Sequence, residues 1–94
     1  MLAIIAITSD MNNRHRKTLH SVFKDPAPAG MAWSDIESLL VAYGCRVIEG
    51  SGSRVRFEKE GLIASFHRPH PAKEAKRYQV EDARAYLMKL GITP

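Results

Sequence analysis

The sequence predicts an α+β domain: a three-stranded antiparallel sheet with helices on one face, in the order α-β-β-β-α, preceded by an extra N-terminal helix. Three observations carry this. Apolar residues recur at three- and four-residue spacing near positions 19–23, 36–43 and 80–90, the period of a helix buried along one side. Between the last two of these stretches lie three short strand-like runs, separated by glycine-bearing turns at 50–53 and 59–61. The chain has 94 residues and 45% hydrophobic content, enough for one small domain with a modest core.

The elements follow in order. Residues 1–10, "MLAIIAITSD", precede a second methionine, Met11. Their apolar part is too short for a signal-peptide core, and no basic residue stands before it. They read as a start-site extension, with an exposed strand that pairs in an assembly as the alternative. Residues 13–24 form a short helix with Leu19, Val22 and Phe23 on one side and bases on the other, His15 and His20 facing solvent. "DPAPAG", 25–30, breaks it, because proline lacks an amide donor and restricts its predecessor. Residues 11–30 are therefore an N-terminal arm with a Pro/Ala linker, and residues 31–94 the main domain.

The second helix begins with Ser34-Asp35-Ile36-Glu37, read as a capping box in which Ser34 and Glu37 satisfy each other's backbone amides. Ile36, Leu39, Leu40 and Tyr43 mark its buried face, and Gly44 stops it. Strands are expected at Arg46–Glu49, Arg54–Glu58 and Leu62–His67. "GSGS", 50–53, reads as a hairpin turn rather than an anion-binding nest. Side chains alternate across a strand. If Val55 and Phe57 meet the helices, Arg54 and Arg56 must share the open face. The last helix spans about Val80 to Leu90, with Val80, Ala83, Leu87 and Leu90 as its buried stripe. Glu81 and Asp82 fall in its first turn and Lys89 in its last, agreeing with the helix dipole. Gly91 then ends it.

Lysine and arginine outnumber aspartate and glutamate by 14 to 10, giving +4 and a pI near 9.5. That balance favours an anionic partner. Seven bases and three acids lie between Arg54 and Arg77, a net charge of +4. Arg54, Arg56, Arg68, Lys73, Lys76 and Arg77 are the candidate phosphate-binding residues. A merely solvated basic face has the same composition. His67 and His70 are the candidate acid–base residues, since an imidazole titrates near pH 6.5 when unperturbed. Two ordinary loop histidines are the plain alternative. Pro69 and Pro71 exclude the helix on which this spacing would converge on zinc, and no third ligand stands nearby, so no metal is expected. No cofactor is expected either. The single Cys45 reads as a small buried apolar residue in a reducing, cytoplasmic setting. The longest apolar run, Leu2 to Ile7, is far below the ~18 residues a membrane span needs.

Gly52-Ser53-Arg54-Val55-Arg56-Phe57, His70-Pro71-Ala72-Lys73-Glu74 and Leu90-Gly91-Ile92 together resemble the HicA toxins of bacterial toxin–antitoxin pairs. The resemblance spans roughly Trp33 to Ile92. It implies a fold like the double-stranded-RNA-binding domain, metal-independent ribonuclease activity on messenger RNA, and neutralisation by a HicB antitoxin encoded beside it. In typical members a histidine follows the glycine–serine pair and is catalytic. Here that position is Arg54, whereas the second family histidine, in the His-Pro motif, matches His70. Acid–base work is therefore expected of His70 or His67, with Arg54 and Arg56 clamping phosphate. A non-catalytic RNA-binding module and a face that only docks an acidic antitoxin are the alternatives.

Overall fold

The structure, a computed structural model, describes residues 12–94. The first ten residues, read above as an extension or a pairing strand, lie outside them. The chain runs α1 (Asn13–Val22), α2 (Trp33–Ala42), β1 (Arg46–Glu49), β2 (Arg54–Lys59), β3 (Leu62–His67) and α3 (Arg77–Lys89). The strands form one antiparallel sheet in the order β1-β2-β3. This is the α+β order expected from the sequence, extra N-terminal helix included.

The alternation in β2 decides what each face of the sheet does. Val55 and Phe57 are fully buried and Phe66 of β3 is nearly so, whereas Arg54 and Arg56 are exposed. Trp33, at the start of α2, lies over the buried face. Its ring centroid is 5.1 Å from Phe66 and 6.4 Å from Phe57, and the two phenylalanines are 5.9 Å apart, edge to face. Such pairs add about 0.5–1.5 kcal/mol each beyond area burial. Ile36, Leu39 and Leu40 of α2, and Val80, Ala83 and Leu87 of α3, complete the core. Tyr86 of α3 donates its hydroxyl to the carbonyls of Phe57 (3.2 Å) and Leu62 (2.9 Å), tying the helix to two strands. Cys45 is buried as expected and lies against that hydroxyl, and desolvation pushes its thiol pKa up.

Three local expectations are corrected. The capping box at Ser34 does not form: α2 begins one residue earlier, at Trp33, behind Ala32. The Trp33 amide donates to the Lys73 carbonyl (3.0 Å) and the Ala75 amide to the Met31 carbonyl (2.7 Å). A short antiparallel bridge to a segment forty residues away thus sets the start of the helix, and Glu37 is free for other partners. The last helix begins at Arg77, not Val80, so Glu81 and Asp82 leave the first turn, which contains no acid. Finally, His15 does not face solvent. It is half-buried against α2, its Nε2 3.0 Å from Ser38 Oγ. His20 is exposed.

The segment read as a linker does break α1, and it also packs. Ala27 is 2% exposed and joins Leu19 and Val22 in the common core. Arg84 of α3 donates Nε to the Val22 carbonyl (2.9 Å) and Nη2 to that of Lys24. Arg14 pairs with Asp35 across α1 and α2 at 2.7 Å. Among the described residues, no helix is long and apolar enough to cross a membrane.

Candidate nucleic-acid interface

A strand pair places the first candidate residues together. Arg54 of β2 lies directly opposite His67 of β3. The bond from the Arg68 amide to the Ser53 carbonyl (2.8 Å) flanks this position. It identifies Arg54–His67 as a non-hydrogen-bonded pair, in which Cα atoms approach to about 4.5 Å and side chains crowd together. Both side chains are exposed on the face that the helices leave open. Ser53, in the preceding turn, brings its Oγ to 3.4 Å from His67 Nδ1. That turn is tight: a Cβ on Gly50 would meet Arg54 Cβ at 2.9 Å, so only glycine fits there.

His67 stands where two depressions meet. On one side Ile48, Arg54, Arg56 and Ser65 line a groove across the open face of the sheet. On the other side a larger cleft of about 1380 Å³ contains Gly52, Ser53, His67, His70 and the start of α3, Lys76 to Gln79. The sequence-predicted His67, His70, Lys76 and Arg77 therefore converge on one cleft, while Arg54 and Arg56 line the adjoining groove. Lys73 is exposed but lies outside both lining sets. Among the described residues, Glu74 is the single carboxylate lining the larger cleft.

Arg68 is occupied differently. Its guanidinium holds Glu37 through Nε (3.0 Å) and Nη2 (2.8 Å), and Glu49 through Nη1 (2.6 Å) and Nη2 (2.9 Å). These two-pronged bonds fix the end of β3 to α2 and β1. They raise the arginine pKa further and hold the Glu49 carboxyl below the usual range. Glu37 also accepts from Trp33 Nε1 at 2.8 Å, so the clamp continues into the aromatic core.

Gln79 fixes the other side of His67. It is 3% exposed, its Oε1 accepts from the Lys76 amide (3.0 Å), and its Nε2 donates to the His67 carbonyl (2.7 Å). One side chain thus caps α3 and ties that cap to the strand end bearing the histidine. The cap itself is unusual. Lys76 and Arg77 sit at the positive end of the helix dipole with no acid in the first turn, an arrangement that disfavours the folded chain by about 0.3–1 kcal/mol per charge. Local rules are broken in this way where a site needs charge.

Sequence reasoning missed Ser53, Gln79, Tyr78 and the Glu37–Arg68–Glu49 clamp. Gln79 left a signal, a buried-side polar residue three positions after Lys76. The clamp left none, because its members are 12 to 31 positions apart in the chain. The bases of α1 stand outside the candidate phosphate-binding set: residues 13–24 contain four lysines and arginines and no acid, and Arg16, Lys17, His20 and Lys24 line one shallow groove. Among the described residues, no group of three or more histidine, cysteine, aspartate or glutamate side chains is arranged to hold a metal ion.

A family model described as the HicA toxin of bacterial toxin–antitoxin systems matches residues 33–92. No curated protein and no solved structure gives a significant match.

Proposed function

The chain belongs to the family of HicA toxins of bacterial toxin–antitoxin systems, and from that premise we propose that it cleaves messenger RNA in the cleft between β3 and α3. The observation that carries this is the Arg54–His67 pair: an imidazole and a guanidinium side by side on the open face, beside a basic cleft that contains a second histidine.

RNA carries its own nucleophile. The 2′-oxygen attacks the adjacent phosphorus as its proton leaves, the bond from phosphorus to the 5′-oxygen breaks, and that oxygen takes up a proton. The products are a 2′,3′-cyclic phosphate and a 5′-hydroxyl. His67 removes the first proton and His70 supplies the second, and a positioned transfer of this kind contributes about 10²–10⁴-fold. Arginine cannot be the base, since its pKa exceeds about 12. Arg54 and Arg56 instead clamp the phosphoryl oxygens, where charge develops. Lys76, Arg77 and Lys73 hold neighbouring phosphates. Arg68, already bonded to two carboxylates, positions His67 rather than gripping the substrate. The scheme uses no metal and no cofactor, and it operates in the cytoplasm.

A toxin of this family has a cognate antitoxin. The basic cleft and α1 surface suit an acidic, HicB-like partner. Inducible expression in a host lacking that antitoxin should arrest growth and yield new RNA 5′ ends bearing hydroxyls. Both effects should vanish with His67→Ala and on co-expression of the acidic neighbour. Arrest with uncut RNA would reject the chemistry. A non-catalytic RNA-binding module is the second reading, favoured by Arg54 at the position of the family's strand histidine. It predicts RNA that is shifted in a gel but left intact.

A further inference from the structure

We infer that Tyr78 is the side chain on which the cleft stacks an RNA base next to the bound phosphates. The inference rests on the RNA-cleaving role proposed above and adds to it the residue that contacts the base.

The other tyrosines show how this chain treats an aromatic ring when structure is all it needs. Tyr86 is 4% exposed with its hydroxyl on two carbonyls, and Tyr43 is half-buried against the core. Tyr78 is 56% exposed. Among the described residues its ring pairs with no other aromatic. More than half of a large, half-apolar ring is thus left to solvent. Its position is specific, however. It lies in the first turn of α3, directly after Lys76 and Arg77, and lines the same cleft as His67 and His70.

Phosphate contacts hold a strand in place but do not touch its bases. Single-stranded RNA is held by pairing such contacts with an aromatic face, because every base offers a π-surface. Two cations followed by an exposed ring supply that combination on one helical turn. The buried Gln79, adjacent in sequence, locks this turn to the His67 carbonyl. The stacking ring and the imidazole are thus parts of one rigid unit, so a base seated on Tyr78 sets which phosphate reaches His67.

The test uses the full chain and a fluorescent single-stranded oligonucleotide with 2′-deoxy sugars, which cannot be cleaved. Three proteins are compared: wild type, Tyr78→Phe and Tyr78→Ser. Each is also titrated with the same strand lacking its bases. Tyr78→Phe should bind as wild type does. Tyr78→Ser should bind the complete strand about 10- to 100-fold more weakly and the base-free strand equally well. On cleavable RNA its loss should appear in KM, with kcat within about twofold. Equal binding of the complete strand by wild type and Tyr78→Ser overturns the assignment while leaving the RNA reading intact. Equal losses on both strands also overturn it. A Tyr78→Ser variant that binds RNA normally but has lost affinity for the antitoxin makes the ring a protein-docking residue, and again the assignment fails. If the wild type binds neither strand, the RNA reading itself falls, and Tyr78 with it.

Discussion

Val55 and Phe57 are 1% and 0% exposed, while Arg54 and Arg56, each one residue away on the same strand, stand in solvent. The two faces of β2 are built by different physics. On the covered face three aromatic rings and the apolar stripes of two helices specify position redundantly. The open face carries a cation pair and an imidazole opposite one of them, and the strand end bearing that imidazole is held by polar ties. Those ties run sideways, through Arg68 to Glu37 and Glu49 and through Gln79 to the His67 carbonyl. The contrast teaches that the site borrows its rigidity from the core. Phe66 anchors β3 below the sheet, and its neighbour His67 is held above it as a consequence.

If the faces are separable, variants on one should leave the other intact. The largest expected effect is on the open face. His67→Ala should lower RNA cleavage about 10²–10⁴-fold, with an unfolding midpoint close to that of wild type. Joint loss of activity and fold would mean that His67 is structural. The next is on the covered face. Phe57→Ala should cost about 3–5 kcal/mol of stability, read from urea unfolding, a large share of the 5–15 kcal/mol typical of a domain. A loss under 1 kcal/mol would show that the aromatic cluster is not the anchor of the sheet.

Arg68→Met tests the joint between the faces. It removes the cation that bridges Glu37 and Glu49 and loosens the strand end at His67. Stability should fall by about 1–2 kcal/mol and cleavage should fall in kcat more than in KM. An effect on KM alone would instead make Arg68 a substrate contact.

The smallest effect concerns acid. The Gly61 amide and the Arg46 guanidinium hold the Glu58 carboxyl below its ordinary range, and Arg68 does the same to Glu49. A depressed carboxyl pKa stabilises the fold above the unfolded value of about 4.3 and loses that contribution as pH falls through the folded value. The melting temperature should therefore fall as pH is lowered through and below that value, less steeply in Glu58→Gln. A melting temperature that rises on acidification would contradict the assignment.

What was legible in the sequence follows the same division. The element order, the two faces of β2, and the stripes of α2 and α3 could all be read, because periodicity reports burial locally. His67 and His70 could be named as acid–base candidates and Lys76 and Arg77 as phosphate-binding ones, but not where they lie relative to one another. It is the register that sets Arg54 opposite His67, and no local pattern encodes it. Failures came where a distant partner decided the outcome. The Lys73 carbonyl moved the start of α2 away from Ser34, and Glu37 and Glu49 claimed Arg68. No local pattern encodes partners 19 to 40 positions away. The packing of Ala27 and His15 was hidden for the same reason, since a proline-rich stretch reads as a linker whether or not it is covered.

The most direct measurement is incubation of the purified full chain with long RNA in excess EDTA, with the ends of any fragments analysed. Fragments ending in 2′,3′-cyclic phosphate and beginning with 5′-hydroxyl, abolished by His67→Ala, are the predicted result. RNA left whole by the wild type, or cut equally well when both His67 and His70 are alanine, would contradict an imidazole-driven cleavage on the open face.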